Sequence, residues 1–320
     1  MWSIFDLVTV PMGYIIEMIY KLVQNYGLSI IIFTIIIKII LLPLNVKSQK
    51  AMKKQQKIQP ILAELQKKYA NDQQKLQTEM MKLYKDNGVS MTGGCLPMLI
   101  QFPILIGLYN VIRSPLRYLL HINITDAAVV DKINNIMALM AEKFPADLGS
   151  FAGYDAEKLF SIAQIQLATW SEKVLDTAEA WSINFNFLGL NLAELPSKAI
   201  TYITQGNFAE IGTIALLVIP ALAIFTTWLS MYQTQKMSGQ TQSDNQAAQM
   251  SKTMNLMMPI MTGFFSFTLP SGMGIYWITA NLIQMGQQYI LNKYFENKED
   301  DYVVQVRNTN RKNGKKRKRS

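Results

Sequence analysis

Apolar residues are gathered in long blocks that alternate with polar and charged stretches. The blocks cover residues 26–44, 94–113, 210–232, 255–269 and 273–292. A helix needs about 20 mostly apolar residues to cross the hydrocarbon core of a bilayer, and most of the blocks are close to this length. The last two blocks are separated by Pro270-Ser271-Gly272, which breaks the helical pattern because proline lacks an amide donor and glycine relaxes the turn. The pattern predicts an all-α polytopic membrane protein with five transmembrane helices.

The polar stretch after the first block, residues 45–93, carries two helical patterns of its own. Apolar residues recur at helical spacing over residues 51–69 and again over 73–84, with Ala70-Asn71-Asp72 between the two runs. This pattern predicts a helical hairpin. Its many lysines would suit anionic lipid or RNA, although a simply solvated basic face is an equally good interpretation.

Residues 1–25 show an amphipathic helical pattern that contains charged residues and a proline. Their apolar residues at helical spacing are Ile4, Leu7, Val8, Ile15, Met18, Ile19 and Leu22. Asp6, Glu17 and Lys21 interrupt the apolar run and no small-residue cleavage site follows, so the segment fits a signal peptide poorly. We interpret it as an interfacial helix on the outer membrane surface, broken or kinked at Pro11.

The distribution of charge sets the orientation of the spans. Residues 45–93 contain ten lysines and four acidic residues, a net charge of +6, whereas residues 114–209 contain six basic and ten acidic residues, a net charge of −4. Basic loops stay in the cytoplasm by the positive-inside rule. The hairpin, the loop 233–254 and the basic tail 293–320 are therefore predicted to be cytoplasmic, with the amino terminus and the segment 114–209 outside.

The outer segment 114–209 contains two predicted amphipathic helices, at residues 126–143 and 155–176. Asp155 is followed three residues later by Lys158, which suits a capped helix start at that aspartate. No constellation of ligands or nucleophiles occurs in this segment. We expect it to form a small helical cap on the outer ends of the spans.

Lys38 is the most informative single residue because it lies inside the apolar run LSIIIFTIIIKIILLPL. A charge at that depth costs roughly 2.5–3.5 kcal/mol on insertion scales, and a carboxylate or water usually offsets the cost. Apart from Glu210 at the very start of the block 210–232, none of the other predicted spans contains Asp or Glu. Water is the remaining partner, so the sequence indicates a wet, positively charged cavity inside the membrane region.

Several classes of function are disfavoured by the composition. One cysteine and one histidine, Cys95 and His121, exclude an intramolecular disulfide framework and make a metal site improbable. No G-x-x-x-x-G-K-[ST] loop is present, and a single histidine allows little acid–base chemistry. We therefore expect a protein that is not an enzyme and that needs no cofactor.

Several motifs occur along the chain in a specific order. They are NYGLSIIIFTIIIKIILLPL, KIQPIL, EMMKLYK, GGCLPMLIQFPI, QKMS and LPSGMGIYWITANLIQMGQQYI. Together they resemble the YidC membrane protein insertase family in its short, Gram-positive-like form, over roughly residues 24–113 and 183–295. The family usually has arginine where this chain has Lys38, so the positive charge is kept but the planar five-donor group is lost. The stretch 121–182 is longer than in the compact form of the family.

The resemblance implies five spans around a hydrophilic groove that opens to the cytoplasm and to lipid. The groove residues expected from the polar positions and from the family are Lys38, Thr34, Gln101, Tyr109, Asn110, Tyr276, Trp277 and Asn281. Thr34 and Lys38 share a helix face at i, i+4 spacing. Hydroxyls and amides also bridge ordinary packed helices, and an interfacial aromatic belt would use Tyr276 and Trp277 equally well.

The function implied by the resemblance is that of a membrane protein insertase and chaperone in the bacterial cell membrane. It would pass hydrophilic segments of nascent membrane proteins through the groove and release their helices into the bilayer, without ATP. A flexible, client-facing apolar lip would consist of Met257, Met258, Met261 and Met273, although lipid-facing packing explains each methionine equally well. The expected partners are nascent membrane proteins, anionic lipids, the ribosome through the basic tail, and a Sec-type translocon.

Two other functions fit parts of the sequence. A secondary transporter for a small anion could use Lys38 as its binding charge, but it would lack intramembrane carboxylates for proton coupling and an inverted repeat. A membrane scaffold is the second alternative. Leu44 lies six residues after Lys38, about 9 Å along a helix, and a lysine side chain can extend over much of that distance to reach the interface.

Overall fold

The computed structural model describes residues 6–89, 96–206, 211–238 and 246–296, and most of them are helical. The first helices are α1 (Asp6–Val23), α2 (Tyr26–Ile40), α3 (Leu42–Lys68), α4 (Gln73–Asp86) and α5 (Leu96–Arg113). The outer segment contains α6 (Pro115–Leu119), α7 (Ala127–Lys143), α8 (Pro145–Leu148), a 3-10 turn (Gly149–Phe151), α9 (Ala156–Ile162), α10 (Gln164–Val174), β1 (Asn186–Phe187), β2 (Leu190–Asn191) and α11 (Lys198–Thr204). The last helices are α12 (Ile211–Ala215), α13 (Val218–Ser238), α14 (Gln246–Thr268) and α15 (Ser271–Glu296).

Helix α1 packs along α5, α2 and α6 and has two apolar faces. Met12, Ile16 and Ile19 are buried against the protein, whereas Leu7 and Leu22 are 77% and 84% exposed. The outward face is the one that would lie in lipid. The helix also continues through Pro11, so of the break or kink expected there the break is absent. Proline removes only one intrahelical hydrogen bond, and the packing of an 18-residue helix offsets that loss.

The first predicted span ends earlier than the apolar run. Helix α2 begins at Tyr26, with the Asn25 side chain accepting the Leu28 amide at 3.0 Å, and it ends at Ile40. Leu41 forms a turn, and the axis of α3 is bent by 59° from that of α2. Pro43 stands at the start of α3 and has no N–H to extend the hydrogen-bond ladder of α2. The last residues of the predicted span 26–44 therefore belong to the hairpin helix.

Helices α3 and α4 form an antiparallel pair where the sequence predicted a hairpin. Asp72 caps α4 by accepting the Lys75 amide at 3.0 Å. Ile58, Leu62, Tyr84 and Val89 form a small core of their own, separate from the main one. The hairpin is thus held together by few buried residues.

The outer segment packs as a cap whose apolar residues continue the main core. Asp126 and Asp155 cap α7 and α9 with their side chains. The helix predicted at 155–176 is divided at Ala163, whose backbone is not helical, into α9 and α10. A short β-hairpin, unforeseen in the sequence, pairs Phe187 with Leu190.

The β-hairpin lies beside the amino-terminal end of α2. Gly27 is required there, because a Cβ at that position would lie 2.5 Å from Cγ of Phe187. The Asn25 side chain donates to the Asn186 carbonyl at 2.7 Å, and the Tyr26 amide donates to the Asn184 carbonyl at 3.0 Å. These bonds fix the start of α2 to the outer cap.

The remaining helices pack side by side, α13 on α14 and α15, and α15 on α2. In the described part of the chain, one stretch, Gly212–Lys236, is by itself long and apolar enough to cross a membrane. The bent pair α2 and α3 passes the same test together, and Leu256–Thr268 is a shorter apolar helix. The sequence break before α15 is present, since α14 ends at Thr268 and α15 begins at Ser271.

Candidate functional site

Lys38 lies in the last turn of α2 and faces α15. Lys38 is 7% exposed, and its Nζ donates to Oε1 of Gln284 at 3.4 Å. None of the ion pairs in the described ranges includes Lys38. An amide oxygen solvates an ammonium group but does not neutralise it, so the positive charge expected from the sequence stays uncompensated by protein.

Thr34 lies one turn before Lys38 and is also buried, at 1% exposure. Its hydroxyl donates to the Ile30 carbonyl at 2.6 Å, within its own helix. The proton of the hydroxyl is therefore used locally, and only its lone pairs could serve a ligand. Of the expected Thr34–Lys38 pair, the lysine alone presents donors to a ligand.

Polar side chains of α15 form a row that we call the polar seam: Asn281, Gln284, Gln287 and Gln288. Asn281 donates to the hydroxyls of Thr226 and Thr227 on α13, at 3.2 and 2.8 Å. Gln288 donates to the Thr234 hydroxyl at 2.8 Å. Spaced at i, i+3 and i+4, these amides join α15 to its neighbours along one side of the helix.

Gln287 is a member of the polar seam that sequence reasoning missed. Its side chain donates to the Lys38 carbonyl and accepts from Asn45, each at 3.2 Å. The available signal was its place three residues after Gln284 on the same helix face. Gln288 shows a different feature, because its Oε1 is buried and has no hydrogen-bond partner among the residues that the structure describes.

Gln101 and Tyr276 are brought together by the packing of α5 near α15. The Gln101 amide donates to the Tyr276 hydroxyl, and Tyr276 is almost fully buried. Eight residues separate Tyr276 from Gln284, about 12 Å along the helix, so this pair lies two turns from the Lys38 contact. The pair links α5 to α15 about two turns away from Lys38 and is not hydrogen-bonded to it.

Three further expected groove residues are half-buried. Tyr109 and Trp277 pack against the main core, and Asn110 lies beside Tyr109 on α5. None of the side-chain hydrogen bonds found in the described ranges joins these three residues to Lys38. The structure therefore places them on the surrounding helices without assigning them a shared contact.

The methionines expected at an apolar lip divide into two groups. Met257 and Met261 on α14 are 56% and 42% exposed, and Met258 is half-buried. Met273 is 1% exposed and lies in the main core, so it does not belong to an exposed lip. Met273 lies in the first turn of α15, where its amide donates to the Pro270 carbonyl at 2.8 Å.

The site has the features of a binding site. It combines one buried cation, several amide groups and exposed apolar helices. In the ranges that the structure describes, no group of three or more His, Cys, Asp or Glu side chains could hold a metal ion. Such an arrangement can attract a polar or acidic chain while its apolar neighbours remain in lipid.

Comparison with known proteins gives a consistent result. The family model of the 60Kd inner membrane protein matches residues 18–299. A membrane protein insertase YidC of Caldanaerobacter subterraneus subsp. tengcongensis is 32% identical over 281 residues, which is 87% of this chain and 91% of that protein. The family-model match over residues 18–299 includes the hairpin, the segment 114–209 and α15.

Two further relatives carry the same name. The membrane protein insertase YidC of Fusobacterium nucleatum is 32% identical over 290 residues, covering 91% of this chain and 97% of the relative. That of Clostridium perfringens is 31% identical over 274 residues, covering 85% and 81%. The similarity thus extends over nearly the full length of these proteins.

Proposed function

The chain belongs to the 60Kd inner membrane protein family, and from this premise we propose that it is a membrane protein insertase of the bacterial cell membrane. The relatives named above are called membrane protein insertases, and the proposed activity is taken from them. The observation in this chain that supports it is Lys38, a buried cation whose side chain is hydrogen-bonded to an amide. A charge without an ion pair at that depth is useful to a protein that receives acidic segments.

In the proposed mechanism, Lys38 draws a short acidic or polar outer segment of a client into a hydrophilic groove. Polar backbone and side-chain groups cost several kcal/mol each in hydrocarbon, so a hydrated groove shortens the apolar distance that they must cross. The groove would be lined by Lys38, the polar seam, and the pair Gln101–Tyr276. Thr34, Tyr109, Asn110 and Trp277 would complete its walls.

The client's own helix would leave sideways into the bilayer along the apolar lip. The exposed residues Met257 and Met261 of α14 suit this role, since flexible thioether side chains accommodate varied sequences. Transfer of the client helix into lipid supplies the free energy, together with the membrane potential. No ATP is used in this scheme.

The proposed topology has five spans: residues 26–44, 94–113, 210–232, 255–269 and 273–292. Helix α1 would lie on the outer membrane surface and the hairpin α3–α4 in the cytoplasm. Clients would arrive from the ribosome, attracted by the basic tail, either directly or beside a Sec-type translocon. Labelling of single cysteines introduced into the hairpin and into α7 from each side of the membrane tests this orientation.

Reconstitution tests the function. Vesicles that contain only this purified protein should insert a single-span client with a short acidic outer segment, without ATP, and protease should then leave the inserted segment protected. Empty vesicles and vesicles with an unrelated polytopic protein are the controls. Insertion no better than in empty vesicles would contradict the proposal, and uptake of small anions instead would support the transporter alternative.

A further inference from the structure

We propose that Gln287 is a positioning residue that clasps the bend between α2 and α3, fixing both Lys38 and the direction in which the hairpin leaves the membrane. The functional importance of this clasp rests on the proposed function, because the clasp joins the client-receiving hairpin to the groove cation. The hydrogen bonds that form the clasp do not depend on any client.

A single amide side chain contacts both sides of the bend. Gln287 Nε2 donates to the carbonyl oxygen of Lys38 at 3.2 Å, and its Oε1 accepts from Asn45 Nδ2 at 3.2 Å. Lys38 belongs to the last turn of α2, and Asn45 to the first turn of α3. Gln287 is therefore bonded to the helix before the bend and to the helix after it.

The bend creates a need for such a partner. At the end of α2 the Leu41 amide bonds the carbonyls of Ile37 and Ile39 but not that of Lys38, and the helix does not continue beyond Ile40. In a membrane such groups must be satisfied by protein or by cavity water. Gln287 satisfies the Lys38 carbonyl from a neighbouring helix, which ties the end of α2 to α15.

Lys38 is consequently held at two points by the same helix. Gln287 bonds its backbone, and Gln284, one turn earlier on α15, accepts from its ammonium group. The backbone bond fixes where the side chain starts, and the second bond fixes where it ends. A shift of the bend would move the starting point and thereby the position of the charge in the groove.

The core inside the hairpin does not fix the direction of the hairpin, although α3 also contacts α5, α13 and α15. This separate core consists of Ile58, Leu62, Tyr84 and Val89 and binds α3 to α4. That core sets the angle within the hairpin but not the 59° angle between α3 and α2. Gln287 and Asn45 lie at the point where the second angle is set, so they couple the orientation of the hairpin to Lys38.

The test compares Gln287→Leu with a matched control, Gln233→Leu. Gln233 on α13 also makes an amide hydrogen bond to α15, donating to the Met285 carbonyl at 3.1 Å, but it does not contact the bend. Spin labels on cysteines introduced at Glu64 and Ile290, both exposed, report the distance between hairpin and α15 in client-free vesicles. Cys95→Ser removes the native thiol from every variant.

We expect Gln287→Leu to broaden and shift the label distance and Gln233→Leu to leave it as in the parent protein. Asn45→Leu removes only the Asn45–Gln287 bond and should give part of the effect, and the double variant should be no worse than Gln287→Leu, which already removes that bond together with the bond to the Lys38 carbonyl. Insertion of a client with an acidic outer segment should fall about fivefold in Asn45→Leu, the loss expected for one hydrogen bond, and further in Gln287→Leu.

An unchanged distance in Gln287→Leu, or equal changes in Gln287→Leu and Gln233→Leu, would overturn the inference. Additive effects of the Asn45 and Gln287 variants would do the same. A parent protein that inserts no client would instead defeat the proposed function, and the client-free distances would still decide whether Gln287 clasps the bend.

Discussion

At the scale of single residues, the ammonium group of Lys38 still has unused hydrogen-bond donors in the described structure. Its one hydrogen bond goes to a neutral amide oxygen, so two donors remain for water or for a client. An arginine would bring five donors in a planar fork, whereas lysine acts as a point charge. The sign of the charge should therefore matter more than the geometry of the donors.

Substitution of Lys38 tests this expectation. Lys38→Arg should retain insertion of clients with acidic outer segments, while Lys38→Ala and Lys38→Glu should lower the rate by at least about tenfold, because attraction in a partly hydrated groove depends on sign. Lys236→Ala is a matched control, as this lysine is exposed near the end of α13. Wild-type rates with Lys38→Ala on several such clients would contradict the mechanism.

Glu17 on α1 is a second ionisable residue that sequence reasoning left without a role. Its side chain is 7% exposed, and it pairs with Lys21 at 2.5 Å and with His121 at 2.7 Å. Burial raises the pKa of this carboxyl, but the hydrogen bonds and charges of Lys21 and His121 outweigh burial and leave the pKa below its ordinary value. The pairing with His121 attaches α1 to the outer cap.

This lowered pKa predicts how the stability depends on pH. The ionised carboxylate stabilises the fold fully above its unfolded pKa, and the contribution is lost as the pH falls through the lower folded pKa. Glu17→Gln should cost about 1.5–3 kcal/mol near neutral pH, the value of hydrogen bonds to a charged group. Thermal unfolding in detergent, followed from about pH 6 to about pH 3, should show the difference from wild type shrinking toward acid. A difference that does not depend on pH would contradict this assignment.

The residue scale also shows what the sequence could and could not supply. Lys38 was evident because a charge in an apolar run contradicts its local pattern. Gln287 was not, because its role depends on which helix lies opposite it, and periodicity does not encode that. Met273 was misplaced for the same reason, since exposure is decided by packing on neighbouring helices.

At the scale of elements, proline acted differently at two positions. Pro11 lies inside α1 and leaves it continuous, whereas Pro43 lies at the start of α3, just after the bend. Proline is tolerated in the first turn of a helix, where its missing N–H has no partner to lose. The sequence therefore indicated the helices well, although helix α2 ends at Ile40, four residues before the end of the predicted span.

Among the described helices of the proposed insertase, the hairpin α3–α4 should be the most mobile. It carries many lysines and a core of four buried residues. Elements with few buried apolar contacts open most easily, so its amides should exchange about 100-fold faster than those of α13 and α15. Hydrogen exchange in vesicles measures this directly. Protection equal to that of the spanning helices would indicate a rigid plug in place of a client-receiving arm.

At the scale of the whole molecule, the surface of the helices at the spans is apolar. Phe225, Trp228 and Tyr232 stack along α13 and are each more than half exposed, and Ile260 and Phe264 are similarly exposed on α14. In the polar seam, Gln288 is buried and Asn281 and Gln287 are half-buried between helices, while Gln284 is exposed beside Lys38. Such an arrangement suits a lipid exterior with hydration inside, as expected for a helical membrane protein that handles polar segments.

The charge of the whole chain is concentrated at its carboxyl end. Residues 307–320 contain eight basic residues and no acidic one, and they lie outside the described part of the chain. A ribosome that translates a membrane protein presents RNA phosphate close to the inner membrane surface. Since basic tails bind polyanions mainly by releasing counterions, that contact should depend strongly on salt.

Deletion of residues 307–320 should therefore weaken co-sedimentation with ribosomes by about tenfold or more at low salt, and the binding of the full chain should fall steeply as salt rises. A shuffled tail of the same composition should restore binding, because the contact is electrostatic and not sequence-specific. Insertion of a fully synthesised, ribosome-free client should be barely altered by the deletion, since the groove and the lip are unchanged. If ribosome binding at low salt survives the deletion, the tail serves instead as an anchor to anionic lipid or as a topology signal, and vesicles with and without anionic lipid separate these two roles.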